Sequence, residues 1–348
     1  MYSGNTPSRI NKELFNGTIN WISSGELKEH YIYSTKERIS QEAANNLKLL
    51  SVGTFVIAIY GLEAEGVRGT GSIIQEPSTI SQACMAFTPK GEITNEFLYS
   101  WYKKHGHVIG VKYAQGTKQQ NLSYDILEKF KISYPNVKEQ DKLNLFFSLL
   151  DKRISTQNKI IEKLETLIKG IRARLTQQVG GDFVYLSEIA QIYQPQTISL
   201  SELTKEGYLV YGANGVIGKY REYNHQTEQI CITCRGNTCG VVNYTQPKSW
   251  ITGNAMVINT DDFKEKVFKR YLYHYLSAYN FNRIISGSGQ PQIVRSPLEK
   301  LKVKLPAILK QKQIATFLDK LQNQIEINNN ILHLYLQQKQ YLFRQMFI

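Results

Sequence analysis

The chain has 348 residues, a net charge of +13 and a pI near 9.3, with 42% hydrophobic and 20% charged residues. This length exceeds one typical domain, and the composition is that of a folded protein with two or more hydrophobic cores. The positive charge favours a polyanionic partner such as nucleic acid; a basic protein kept soluble by its charge is the alternative. Four cysteines argue against a disulfide scaffold and fit a reducing cytoplasm. No signal peptide is visible, and the most apolar run, Leu49 to Leu62, is shorter than the ~20 residues of a spanning helix, so no membrane segment is expected.

The first 138 residues predict a mixed α/β domain. Asn95–His105 is a predicted helix with Asn95 as its cap, and a polar loop, Gly116–Asn121, follows it. Segments rich in apolar and β-branched residues predict the strands Ile19–Ile22, Leu49–Tyr60, Ala83–Thr88 and Phe130–Tyr134.

Residues 139–178 predict one long helix, because their apolar residues recur at alternating steps of three and four. The row, interrupted only by Gln157, is Leu143, Phe147, Leu150, Ile154, Ile161, Leu164, Ile168, Ile171 and Leu175. The same spacing returns in residues 310–348 as Ile314, Leu318, Leu321, Ile325, Leu332, Tyr335, Leu342 and Met346. Asn328 and Lys339 interrupt this second row. A shared period of 3.5 residues predicts two helices packed as a coiled coil, with Gln157 and Asn328 setting its register.

The globular part repeats at the same offset of 171 residues. Gly116 to Pro135 aligns with Gly287 to Pro306, and Ser81 to Phe87 aligns with Thr252 to Ile258. Because this period is far longer than the 20 to 50 residues of solenoid repeats, it predicts a duplicated unit of one domain and one helix. The predicted division is 1–138, 139–178, 179–309 and 310–348, with a hinge at Gly180 and Gly181.

The two copies differ in their loops and at their starts. Tyr60 to Gly71 has little in common with Cys234 to Tyr244. Similar domains with different loops are expected of a protein that recognises two different targets. The second copy also opens with an apolar segment, Phe183 to Ile192, that has no counterpart before Tyr2. We therefore expect the first copy to have a short leader and to lack an edge strand; the alternative is that the true start of the gene lies upstream.

These features together resemble the specificity subunit of type I restriction–modification systems over nearly the full length. The residues that carry the resemblance are the openings Gly4-Asn-Thr-Pro-Ser and Val210-Tyr-Gly-Ala-Asn-Gly and the closings Pro135…Glu139-Gln140 and Pro306…Lys310-Gln-Lys-Gln. The resemblance implies an α/β (α+β) fold with two target recognition domains separated by two long antiparallel coiled-coil helices. A helix of about 40 residues spans roughly 60 Å, enough to hold two domains one or more DNA turns apart.

The resemblance also implies partners. Each domain would read one half of a bipartite double-stranded DNA target, and the helices would dock methyltransferase subunits, most simply two. A restriction and translocase subunit is a further implied partner. S-adenosylmethionine, ATP and Mg would be bound by the partner subunits and not by this chain.

The candidate DNA-contacting residues are polar or basic and lie in predicted loops and their flanks. They are Arg68, Lys112, Lys118, Gln119, Gln120, Asn121, Lys219, Arg221, Arg235, Asn237, Arg283, Ser288, Gln290 and Gln292. Asn and Gln pair bidentately with adenine, whereas Lys and Arg suit guanine or phosphate. The alternative is that the shared Gly-x-x-Gln loop is a structural turn, since residues common to both copies cannot make them read different sequences. The divergent positions are therefore the better candidates for base contacts: Arg68, Lys219, Arg221, Arg235 and Asn237. The alternative for each of them alone is a solvated charge or a phosphate contact.

No catalytic constellation stands out in the sequence. It contains no Asn-Pro-Pro or Asp-Pro-Pro motif and no complete phosphate-binding loop, and its six histidines are scattered. Cys231, Cys234, Cys239 and Cys84 raise the possibility of zinc, but no second close Cys or His pair follows. Buried thiols on a strand are the preferred interpretation of the cysteines, so no bound metal is expected. Because no catalytic constellation stands out, the chain is not expected to be an enzyme.

Two other functions remain open. A coiled-coil adaptor with protein- or glycan-binding heads predicts no salt-sensitive retention on duplex DNA. A self-sufficient methyltransferase or nuclease with an unrecognised site predicts S-adenosylmethionine binding by the isolated chain.

Overall fold

The computed structural model describes residues 1–213, 215–287 and 289–347, apart from the side chains of residues 176 and 177. The chain forms two compact units, Met1–Thr156 with the chain from Leu332 onward, and Gln157–Ile331. Each unit contains one globular domain and a part of each of two long helices. No helix in the described part of the chain is both long and apolar enough to cross a membrane.

The first unit is built on two sheets and a covering helix. Its strands are β1 (Tyr2–Ser3), β2 (Ile19–Ile22), β3 (Tyr31–Ile32), β4 (Arg38–Ile39), β5 (Phe55–Ala58), β6 (Gly71–Ile74), β7 (Ser78–Ile80) and β8 (Cys84–Phe87). Its helices are α1 (Gln41–Asn45), α2 (Asn95–Tyr113), α3 (Tyr124–Leu127) and the start of α4 (Val137–Gln178). The sheet orders are β1-β8-β5-β6-β3 and β4-β2-β7. All four residues of the central strand β5 are fully buried, and α2 covers this sheet with Phe97, Trp101 and Tyr102.

The second unit has the same plan. Its strands are β9 (Asp182–Tyr185), β10 (Gln191–Tyr193), β11 (Tyr208–Gly212), β12 (Gly215–Tyr220), β13 (Ile230–Thr233), β14 (Val242–Tyr244), β15 (Trp250–Ile251), β16 (Ala255–Asn259) and β17 (Lys302–Leu305). Its helices are α5 (Lys269–Ala278), α6 (Arg295–Glu299) and the start of α7 (Ile308–Met346). The sheet orders are β10-β16-β13-β14, β12-β11-β15 and β17-β9. Short 3₁₀ turns at Lys12–Phe15, Ser24–Glu26, Leu186–Glu188, Leu200–Glu202, Asp261–Phe263 and Phe281–Arg283 complete the two units.

Strand pairing confirms the predicted duplication. In the smaller sheets, Trp21 of β2 lies beside Thr79 of β7, and Val210 of β11 lies beside Trp250 of β15, both in parallel register. In the larger sheets, β5 pairs with β8 as β13 pairs with β16. The two units therefore share the pairing at the centre of their larger and smaller sheets, while β3 of the first unit and the β17-β9 pair of the second have no counterpart in the sheets described for the other unit.

The structure corrects three local predictions. Residues 130–134 form no strand, because their equivalent β17 pairs with β9, and β9 has no equivalent among the described residues of the first unit. The predicted strand Leu49–Tyr60 is shortened to β5, since Thr54 closes a turn onto Ser51 O (3.2 Å). The cap of α2 is Thr94, whose hydroxyl accepts a hydrogen bond from Phe97 N, and not Asn95.

The two long helices run antiparallel within each unit. In the first unit Phe147 stacks on Phe343, Lys339 forms an ion pair with Asp151, and Arg153 lies over the Tyr335 ring. The charge of Lys339 is therefore tolerated within the apolar row, because its ammonium group forms an ion pair with the Asp151 carboxylate. The helices begin at Val137 and Ile308, each two residues before the predicted start.

Gln157 and Asn328 meet in the second unit, as the register prediction requires. The Gln157 side chain is buried and its Nε2 donates to Asn328 Oδ1 (2.6 Å) and to Asn328 O (3.1 Å). A polar pair of this kind is matched only in one register of the two helices.

A buried glutamine attaches each long helix to the preceding domain. Gln140 Oε1 accepts from Thr94 N (2.8 Å), while its Nε2 donates to Glu92 O and Pro135 O. Gln311 repeats this pattern with Phe268 N (2.8 Å), Lys266 O and Pro306 O. Both glutamines are 0% exposed, so the motif Pro-x-x-x-x-Gln marks a structural joint.

Replacing Gln157 and Asn328 together by leucine is expected to raise the melting temperature and to permit other registers or oligomers. A polar pair in a coiled-coil seam costs stability, so replacing both partners by apolar residues is stabilising, whereas Gln157→Leu alone leaves Asn328 without its donor and should cost about 1 kcal/mol. Thermal melts with analytical ultracentrifugation measure both effects. A melting temperature of the double variant that is unchanged or lowered would contradict the register role.

Candidate nucleic-acid interface

The shared Gly-x-x-Gln loop has one backbone geometry in both units. Gly116 and Gly287 adopt left-handed φ values of +106° and +91°. A Cβ at Gly116 would collide with Gln119 O, and one at Gly287 with Gln290 O, so only glycine fits either position. This geometry supports the interpretation of the motif as a structural turn, from which Lys118, Gln119 and Gln290 extend into solvent.

This turn is held against the chain that follows the central strand of the larger sheet. In the first unit an antiparallel bridge joins Tyr60 to Asn121, with Leu122 N donating to Ile59 O (2.8 Å). In the second unit an antiparallel bridge joins Arg235 to Gln292, with Ile293 N donating to Cys234 O (3.0 Å). Each unit therefore places two loops from distant parts of its sequence side by side.

A left-handed glycine follows the bridged residue in both units. Gly61 has a φ of +73° and Gly236 a φ of +83°. A Cβ at either glycine would meet nothing within 4 Å, so the requirement for glycine comes from the backbone turn and not from crowding. The same bridge and the same turn thus end the central strand in each copy.

A third loop joins this site in the second unit. Thr233 Oγ1 and Thr238 Oγ1 both donate to Ala213 O, at 2.7 and 2.8 Å, which ties the β11–β12 turn to the loop after β13. Arg235 and Gln292 line a cavity of about 350 Å³ together with Cys234, Met256 and Ile293. Arg295, which is not among the residues selected from the sequence, also lines this cavity.

In the first unit Arg68 organises the equivalent loop. Its Nη2 donates to Gln120 Oε1 (2.5 Å), and Glu63 Oε2 accepts from Gln120 N (2.7 Å). The aliphatic part of Arg68 packs over Gly110 of α2. Arg68 and Gln120 are therefore half-buried residues that shape the loop around Tyr60 and Asn121, rather than free side chains.

The remaining sequence-selected residues lie apart from these bridges. Lys112 is exposed in the last turn of α2, Arg283 is exposed in a 3₁₀ turn, and Asn237 is exposed two residues beyond Arg235. Lys219 and Arg221 are exposed at the end of β12, in the smaller sheet. Arg221 lies 3.7 Å from the Glu222 carboxylate. Ser288 lies outside the described residues.

Sequence and structure comparisons agree on the family. The profile of the type I restriction modification DNA specificity domain matches twice, over residues 2–166 and 179–334. The chain belongs to this family. The type I restriction enzyme EcoprrI specificity subunit of Escherichia coli is 24% identical over 344 residues, covering 91% of this chain and 84% of that protein.

Two further comparisons agree with this assignment. The MjaIX specificity subunit of Methanocaldococcus jannaschii is 29% identical over 196 residues, which are 53% of this chain and 44% of that protein. The crystal structure of the type I restriction-modification system S subunit from M. genitalium shares the fold with a TM-score of 0.65 and 17% identity. That match covers 100% of this chain and 93% of the other.

Of the cysteines of this specificity-family chain, Cys84, Cys231 and Cys234 are buried thiols and Cys239 is half-buried. Burial raises the pKa of Cys231 and of Cys84 to about 12, which keeps both protonated and makes them poor metal ligands. Cys84 lies in the first unit and the other three cysteines in the second. Among the described residues, no group of three or more potential ligands could hold a metal ion.

A buried charged cluster in the second unit escaped the sequence analysis. His274 of α5 is 0% exposed; its Nε2 donates to Asp319 Oδ1 of α7 (2.8 Å), and its Nδ1 accepts from Arg172 Nη2 of α4 (3.0 Å). Arg270 Nε also donates to Asp319 (3.0 Å). Since both ring nitrogens have partners, the cluster joins α5 to both long helices instead of offering a base to a substrate. Its members are far apart in sequence, so no local motif indicates it.

The charges of this cluster fix its protonation. Burial lowers the pKa of His274; the hydrogen bond to Asp319 opposes this shift, and Arg172 reinforces it. Burial also opposes ionisation of Asp319, but hydrogen bonds from His274 and Arg270 outweigh it and lower the pKa of Asp319. His274 is therefore neutral, and Asp319 ionised, at neutral pH.

The stability of the second unit is expected to fall as the pH drops below about 6.5. Because the folded state lowers the pKa of His274, the unfolded chain takes up this proton first, and the stabilisation present above the unfolded pKa is lost by at most about 1.4 kcal/mol per pH unit. Denaturant unfolding of the wild type and His274→Gln between pH 7.5 and 5.5 measures this slope, with exposed His333→Gln as the control. Equal slopes in the wild type and His274→Gln would contradict the role of His274.

Proposed function

We propose that this chain is the non-catalytic DNA-reading subunit of a cytoplasmic type I restriction–modification complex, in which each unit reads one half of a bipartite target. One observation carries the proposal. The two units place equivalent loops on equivalent backbones, yet the side chains on these loops differ, as Tyr60 and Arg235 do at the same bridge. Two copies of one frame with unlike side chains suit two unlike half-sites.

The net charge of +13 supports a DNA partner. Phosphate neutralisation supplies most of the non-specific affinity in such complexes and makes binding fall steeply with salt. Exposed basic residues such as Lys112, Lys118 and Lys219 have the chemistry of phosphate contacts, which position a protein without reading bases.

Methylation and cleavage would come from partner subunits, which would bind S-adenosylmethionine, ATP and Mg. Family membership supports this division of labour, since the relatives are named specificity subunits. Two methyltransferase subunits and a restriction subunit are proposed partners. The equivalent helix joints at Gln140 and Gln311 support a count of two, because a duplicated helix start offers one partner type two equivalent surfaces. The family match favours this function over an adaptor with glycan- or protein-binding heads.

Exchanging residues 2–134 for the matching domain of a relative should change one half of the methylated motif and leave the other half intact. The reason is that each unit has its own loops and its own hydrophobic core. Sequencing of modified bases in a host that also carries the methyltransferase measures the motif. Exchange of residues 182–305 is the matched control and should change only the other half. A change of both halves in either chimera would contradict independent reading.

A further inference from the structure

In each unit the central strand of the larger sheet ends in an antiparallel bridge followed by a left-handed glycine. The offset of 171 residues does not align these two bridges. Bridge partners 60 and 121 correspond to 235 and 292, and each first member is followed by a left-handed glycine, Gly61 or Gly236. The second members are 171 residues apart, but the first members are 175 apart. The loops therefore have different lengths, yet each begins with an antiparallel bridge and a left-handed glycine.

The bridge holds two side chains next to each other. In the second unit Gly236 N donates to Pro291 O and Ile293 N to Cys234 O, both at 3.0 Å, so residues 235 and 292 form a non-hydrogen-bonded antiparallel pair. Such pairs have Cα atoms about 4.5 Å apart, with both side chains on one side. That spacing is close to the ~3.4 Å rise between base pairs, so the two side chains can address neighbouring bases.

These side chains are available to a ligand. Arg235 and Gln292 are exposed, and Tyr60 is 37% exposed. Arg235 makes no ion pair with any residue that the structure describes. The bridges depend on main-chain hydrogen bonds, so the identity of the side chains is free to differ between the two copies, as it does.

From this geometry we infer that the bridged pairs Tyr60–Asn121 and Arg235–Gln292 are the base-reading pairs of the two units. This inference rests on the proposed function. Arg235 would contact the O6 and N7 of guanine, and Gln292 the N6 and N7 of a neighbouring adenine. Asn121 would contact adenine, and the Tyr60 ring would make an apolar contact with a neighbouring thymine methyl.

Other exposed polar residues fit this role less well. Gln119 and Gln290 occupy the same place in both copies and so cannot distinguish two half-sites. Lys219 and Arg221 lie at the end of β12 in the smaller sheet, and Arg221 is next to a carboxylate. The Arg68 guanidinium already donates a hydrogen bond to Gln120 Oε1.

Single substitutions in the full chain test the inference, with the methylated motif as the readout in a host carrying the methyltransferase. Arg235→Ala and Gln292→Ala should each relax one position, the two positions being adjacent and in the same half, with discrimination reduced about 10- to 100-fold. The position relaxed by Arg235→Ala should be guanine in the wild-type motif. Gln290→Ala, in the same turn, is the matched control and should leave every position defined.

The reciprocal variant is expected to create a new base specificity instead of removing one. Tyr60→Arg combined with Asn121→Gln should replace the thymine in the other half of the motif by guanine next to the retained adenine, a change that misfolding cannot produce. This variant decides the inference if an alanine variant yields no methylation.

Three outcomes would overturn the inference: an unchanged motif in Arg235→Ala and Gln292→Ala, relaxed positions in different halves, or a Tyr60→Arg and Asn121→Gln variant that keeps the wild-type motif. The wild type separates this failure from failure of the proposed function. A wild-type chain that directs no bipartite methylation refutes the function itself, whereas a bipartite motif that is insensitive to these substitutions refutes only the assignment of the reading pairs.

Discussion

The buried glutamine at the start of each long helix is the contact on which the domain–helix unit depends. The Gln140 and Gln311 side chains satisfy main-chain groups of the domain helix and of the connection that leads to it, in the same pattern and without exposure to solvent. Loss of either amide would leave three main-chain groups without these hydrogen bonds. This joint fixes where each helix leaves its domain, and the coiled-coil seam continues from there.

The main chain at the end of each central strand has a fixed arrangement that lets the loop side chains differ. Each central strand ends in the same bridge and the same left-handed glycine, and main-chain hydrogen bonds hold both. The frame therefore does not depend on which side chain occupies position 60 or 235. The cluster of His274 with Asp319 and Arg172 joins α5 to both long helices in the second unit and stabilises the packing there. The proposed reading residues and the residues of this cluster are thus separate sets.

Much of this organisation follows from the sequence. The heptad rows predicted both long helices, because a 3.5-residue period has few structural interpretations. Gln157 and Asn328, which the sequence indicates as register residues, form a hydrogen bond with each other. The constant offset predicted the duplication. A strand at 130–134 was wrongly predicted, since a strand exists only with a partner and sequence preference does not reveal whether one is available. The proposed pairing of Tyr60 with Asn121 and of Arg235 with Gln292 could not be found by one offset, because loops of different length shift Tyr60 against Arg235. The charged cluster was missed because its members come together only through tertiary packing.

Reading of a bipartite DNA target by two unlike units on one frame is the central claim. Its most direct test is to sequence modified bases in a host that expresses the methyltransferase with this chain, beside a host that expresses the methyltransferase alone. The account predicts a split, asymmetric methylated motif that is present only with the chain. A well-folded chain that directs no motif beside an active methyltransferase would contradict the account and favour the adaptor function.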